Sequence, residues 1–157
     1  DKAEAYYKKV RGGEFSLKNF ITELFNQEKI KEIRMENVYE DIMSECLNFV
    51  NKELVDVVHE LGKENCYLAT YGEKEFQLDK IKRAGIFSLF SEIIVVPGSK
   101  KEIIYDICEK NKAEKILFID NKIEFFEDLD MAKCPNLKTI LYDEQGLEKL
   151  REVVYRL

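Results

Sequence analysis

Three side chains in this sequence are of the types that handle phosphate and a hard cation: Thr70, Lys100 and Asp120. Each stands at or just after a short apolar run. Thr70 ends "CYLAT", Lys100 follows "EIIVVPGS", and Asp120 follows "KILFI". Hydroxyl and ammonium groups donate to phosphate oxygens, and a carboxylate holds an ion such as Mg²⁺. Glu124, four residues past Asp120, is a second candidate metal ligand. Each residue also has a plainer role. Thr70 is β-branched and suits a strand, Lys100 could be solvated beside Lys101, and Asp120 could cap the helix after it. Their common placement gives them weight. In open parallel sheets ligands bind outside the carboxyl ends of the strands, and all three would sit there.

The elements that must position them alternate in type from about residue 51. "NKELVDVVHELGKE" has helical spacing, with Asn51 as N-cap and Gly62 near its end. "CYLAT" is a strand, "KEFQLDKIKRAG" a helix closed by Gly85, and "EIIVVPG" a strand stopped by Pro97-Gly98. "KKEIIYDICEKN" is a helix, "KILFI" a strand, "KIEFFEDLDMA" a helix, "LKTILY" a strand and "GLEKLREVVYRL" a closing helix. Strands alternating with helices predict an α/β parallel sheet, whose strands read as unbroken apolar runs. Residues 1–50 contain no good strand. "KAEAYYKKV" is a short helical pattern before Gly12-Gly13, Ser16 is placed to cap "LKNFITELFN", and a further helical stretch covers 28–47. The expected organisation is a helical subdomain over 1–50 and an α/β core over 51–157.

Composition narrows the function. The 157 residues are 45% hydrophobic and 36% charged, with net charge -6. Acidic residues interleaved with lysines leave no basic face for nucleic acid, so no nucleic-acid partner is expected. No apolar run reaches the roughly 18–20 residues of a membrane span, so no membrane partner is expected either. Cys46, Cys66, Cys108 and Cys134 are widely spaced, and Cys66 and Cys108 fall on apolar faces. They read as free thiols of a reducing compartment, the cytoplasm. His59 is the one histidine and lies on a charged helix, so zinc binding and serine–histidine hydrolysis have little support.

The runs "YLATYGEKEFQLDKIKRAGIFSLFSEIIV", "GSKKEIIYDICEK" and "KILFIDNKIEFFEDLDMA" together resemble the haloacid-dehalogenase-like (HAD) superfamily over about residues 52–145. The resemblance implies a Rossmannoid parallel sheet with helices on both faces, here with a small N-terminal helical cap. It implies a Mg²⁺-dependent phosphatase acting on a small phosphorylated metabolite through an aspartyl-phosphate. Thr70 falls on the second motif, which hydrogen-bonds the phosphoryl group. Lys100, with Lys101 as a close alternative, falls on the third, which neutralises phosphate. Asp120 falls on the fourth, which holds Mg²⁺, with Glu124 at a later acidic position. Tyr71, Gly72 and Asn121 flank these motifs as expected substrate contacts.

The sequence departs from the family at three points. Asn121 stands where a second acidic or small polar residue is usual, Tyr71 replaces the usual Asn, and the first motif, D-x-D-x-T/V after an apolar strand, is missing. That motif would supply the nucleophile, so the attacking aspartate is expected upstream of Asp1. Its strand is central in the family. Omitting it would leave a slot about 9–10 Å wide, to be filled by another segment or removed by rearrangement of the sheet. Two further readings remain. One is a non-catalytic HAD-like binding or regulatory domain. The other is a phosphoacceptor receiver, which presents its residues in the order Asp, Thr/Ser, Lys, whereas here the order is Thr, Lys, Asp. Tyr6, Tyr7, Arg11 and the Gly12-Gly13 turn are candidate substrate contacts in the cap.

Overall fold

Ser16 and Asn51 begin helices for the same physical reason. Each side-chain oxygen accepts a backbone N–H that the first helical turn leaves unpaired. Ser16 Oγ takes Asn19 N–H at 3.4 Å, opening α1 (Leu17–Glu28). Asn51 Oδ1 takes Leu54 N–H at 3.0 Å, opening α3 (Lys52–Leu61). Between them lies α2 (Met35–Ser44), continued by a 3-10 turn at Glu45–Phe49. The computed structural model of the protein describes residues 4–5 and 15–155, with Glu4 and Ala5 helical. Tyr6, Tyr7, Arg11, Gly12 and Gly13, and most of the first expected helix, lie outside the described residues.

The chain divides into two compact units, 1–98 and 99–157. In the first, β1 (Tyr67–Tyr71) pairs in parallel with β2 (Glu92–Val96). The crossover contains α4 (Lys74–Arg83), whose first turn is capped by the Glu73 carboxylate. Gly85 (φ +71°) follows α4 and turns the chain at a dihedral that favours glycine. Leu17, Ile21, Tyr39 and Met43 form the core where α1 meets α2, and Phe76 of α4 packs against it. A polar clasp reinforces the contact. The Tyr39 hydroxyl donates to Asp79 Oδ2 at 2.7 Å, and Arg83 bridges Asp79 and both carboxylate oxygens of Glu40 at 2.8–3.0 Å.

In the second unit α5 (Lys101–Lys110) precedes β3 (Ile116–Asp120), which pairs in parallel with β4 (Leu137–Leu141). The unit closes with α7 (Gly146–Val154). Its core joins Ile104 and Cys108 of α5 to Leu129, Cys134 and Leu137.

The strands therefore fall within a residue or two of their expected positions, and both pairings are parallel. Two expectations are corrected. In place of one parallel sheet, the described residues form two two-stranded sheets, β1–β2 and β3–β4. No described segment supplies a strand to join the pairs, so each strand is hydrogen-bonded along one edge only. The long helix expected over 122–132 is also broken. It becomes a four-residue helix, α6 (Glu124–Glu127), and a 3-10 turn at Met131–Lys133. The reason is competition from side chains for backbone groups. Asp130 Oδ1 takes Ala132 N–H, the Tyr105 hydroxyl takes Asp130 N–H, and Leu129 turns into the core.

Candidate functional site

Asp120 is the last residue of β3, and its backbone is fixed on both counts that matter. It pairs with Leu141 in the ladder, and its carbonyl accepts Tyr142 N–H at 2.7 Å. The carboxylate is then aimed by two donors. Lys100 Nζ donates to Oδ2 at 2.6 Å, and Lys122 N–H donates to Oδ1 at 2.9 Å. The two ionic side chains are 10% and 7% exposed, so this is a buried ion pair. Lys100 stands immediately before α5, in the same compact unit as Asp120. Ser99 Oγ accepts Lys101 N–H at 3.2 Å and starts that helix. The Lys100 ammonium also stands 4.7 Å from the centroid of the Phe125 ring, a cation–π contact.

A buried ion pair is a poor way to gain stability, because desolvation of both groups consumes most of the Coulombic gain. Its chemical capacity is clearer. The ammonium is a donor on a flexible stem held at a strand's carboxyl end, and an anion that drew it away from Asp120 would leave the carboxylate with Lys122 N–H as its remaining donor.

The other expected residues of this unit are arranged differently. Lys101 lies 5.9 Å from the Tyr105 ring, so Lys100 is the lysine that meets Asp120. Glu124 is 62% exposed and stands 4.0 Å from Lys122 Nζ. Asn121 is exposed. Among the described residues no group of three or more His, Cys, Asp or Glu side chains is placed to hold a metal ion. Asp120 alone would offer Mg²⁺ one carboxylate. That suits an ion keeping several waters and a substrate phosphate better than an all-protein cage.

Thr70, Tyr71 and Gly72 belong to the first unit, at the carboxyl end of β1. The Thr70 hydroxyl donates to Gln77 Oε1 at 3.3 Å. Gly72 (φ +127°) donates its N–H to Val96 O at 2.8 Å, carrying the ladder one residue past β1. A Cβ on Gly72 would come within 3.0 Å of Gln77 Nε2. The Gln77 amide thus lies over this strand end, 9% exposed.

Sequence reasoning missed Gln77, Lys122 and Phe125. For Gln77 a signal existed. It shares a buried helical stripe with Ile81 and Ala84, where a polar residue is out of place. Lys122 acts through its backbone, which its residue type does not announce. A cavity of about 450 Å³ opens at the opposite end of β3 and β4, among Lys115, Asn136, Lys138 and Glu152, away from Asp120.

No known protein family matches this chain, and no curated protein or solved structure matches it.

Proposed function

We propose that this chain belongs to a HAD-like phosphatase acting on small phosphomonoesters. The observation that carries the reading is the buried Lys100–Asp120 pair at the carboxyl end of a parallel strand. An ammonium and a carboxylate at that edge are the groups needed to neutralise a phosphoryl group and to hold its counter-cation. In this reading Lys100 leaves Asp120 to bind phosphate. The family resemblance alone suggests Thr70 as a further phosphate donor and Tyr71, Gly72 and Asn121 as substrate contacts. Asp120 would then hold Mg²⁺, which supplies charge neutralisation at the phosphate, with Glu124 as a secondary ligand. The nucleophilic carboxylate is a D-x-D-x-T/V aspartate outside these 157 residues, and a helical cap over 1–50 and a Rossmannoid core over 51–157 complete the assignment. The expected location is cytoplasmic.

A second reading is a non-catalytic HAD-like domain that binds phosphate. It is favoured by the closed state of Asp120, both of whose oxygens already have donors.

The test is titration of the chain with phosphoserine and inorganic phosphate, with and without Mg²⁺, followed by amide NMR. Shifts centred on Lys101, Lys122 and Phe125 and abolished by Lys100→Met are expected. No shift there at millimolar ligand would end both readings. Joining a D-x-D-x-T/V strand to the chain separates them, since only the enzyme then gains Mg²⁺-dependent turnover.

A further inference from the structure

Two cysteines of the second unit share one buried core cluster, and the backbone shows why. The segment 130–136 is strapped to α5 and the loop after it at two levels. At one level Asp130 N–H donates to the Tyr105 hydroxyl at 2.8 Å. At the other, Asn136 Nδ2 donates to the carbonyls of Asn111 and Glu114 at 3.0 and 2.9 Å. Cys108 stands on α5 between Tyr105 and Asn111, three residues from each. Cys134 stands between Asp130 and Asn136 on the facing segment. Both are buried, at 3% and 1% exposure, in one core cluster with Ile104, Leu129 and Leu137. Burial, with the facing Cys134 thiol adding to it, pushes the Cys108 thiol up to about 12.

We propose that Cys108 and Cys134 are a dithiol that closes to a disulfide under peroxide, pinning the segment before β4 to α5. One thiolate attacks the peroxide oxygen and becomes a sulfenic acid, releasing water. The second thiol then attacks that sulfur, expels a second water and completes the S–S bond. Two thiols and one H₂O₂ thus give one disulfide and two waters. The high pKa and burial of Cys108 keep the thiolate scarce, so closure is slow and follows local opening of the 130–136 segment. The straps hold the partner in place, which favours the disulfide over further oxidation of the first sulfur.

The experiment is treatment of the folded chain with H₂O₂, then mass spectrometry, peptide mapping and thermal unfolding. The expected product is about 2 Da lighter, carries a Cys108–Cys134 cross-link, and melts higher by on the order of 5 °C. Dithiothreitol should reverse all three changes. Cys46→Ser and Cys66→Ser should leave the cross-link intact, whereas Cys108→Ala and Cys134→Ala should each abolish it. Should an alanine variant fail to fold, native-state mapping of the wild type still decides the matter. Sulfinic acid at either residue in place of the cross-link, a disulfide involving Cys46 or Cys66, or closure only in urea would each overturn the proposal.

Discussion

Replacing Lys100 by Met should cost more stability than replacing its partner Asp120 by Asn. At 2.6 Å the pair's gross attraction is roughly 6 kcal/mol for an effective dielectric near 20, and desolvation offsets most of it. The loss on substitution therefore depends on what the surviving charge can do. Asp120 is anchored in the β3 ladder and cannot follow water outward, so Lys100→Met strands a buried carboxylate with only Lys122 N–H as donor. We expect a loss of about 3 kcal/mol, the lower end for a broken buried pair. Lys100 has a flexible four-carbon stem and can carry its ammonium to solvent. Asn at 120 also keeps an acceptor for Lys122 N–H. Asp120→Asn should therefore cost only about 1–2 kcal/mol. The double variant should be less damaged than the sum of the singles, by at least about 2 kcal/mol. Urea unfolding followed by circular dichroism, with all four proteins at one pH, gives the cycle. Equal costs for the two singles would refute the argument from mobility. Additivity within about 0.5 kcal/mol would show that the pair is not coupled at all.

Two further outcomes follow from geometry elsewhere. Burial, followed by the Asp79 hydrogen bond and charge, pushes the Tyr39 phenol up to about 12. Its folded pKa exceeds its unfolded value of 10, so its contribution to stability is complete below pH 10 and lost as pH rises toward 12. An ultraviolet titration should show a late-ionising step that Tyr39→Phe removes, and a variant that keeps the whole of that step would disprove the assignment. At Gly146 an added Cβ would lie 2.8 Å from Cδ2 and 2.9 Å from Cγ of the Tyr142 ring. Gly146→Ala should cost about 1–3 kcal/mol, and a Tyr142→Ala background should remove most of that cost. An unchanged melting temperature for Gly146→Ala alone would show that the ring yields freely.

What the sequence disclosed was whatever a local interaction decides. Ser16 and Asn51 cap their helices through N–H groups three residues away, and Gly85 turns through a dihedral that few other residues accept. The strand runs are recognisable because β-branched apolar residues lie between turn signals. The partnership of Lys100 with Asp120 was half legible. Both residues were placed at strand ends, but pairing across 20 positions depends on tertiary structure, and Lys101 has the same chemistry one position away. The helix expected over 122–132 was over-read. Ile123, Phe126 and Leu129 carry helical spacing, but spacing does not record that Asp130 is occupied by Ala132 N–H and the Tyr105 hydroxyl.

The strand runs themselves do not show the division into two sheets, for a different reason. A parallel strand covered on both faces reads as an apolar run whichever strand lies beside it. "ILFI" in β3 therefore announces a strand but says nothing of its neighbours. Pairing shows in burial instead. Ile116 to Ile119 are all only half-buried, as are all five residues of β1. With two strands in each sheet, the positions that carry chemistry depend less on a shared sheet than on contacts made locally. Asp120 is aimed by Lys100 and Lys122 N–H, and Thr70 is held by Gln77 from the helix that follows it. Each strand end thus has its own polar anchor, twenty or fewer residues away in the chain and inside the same compact unit. Orientation fixed in this way does not depend on a further neighbouring strand. It follows that Lys100 and Gln77 each govern the geometry of their own strand end as directly as Asp120 and Thr70 themselves.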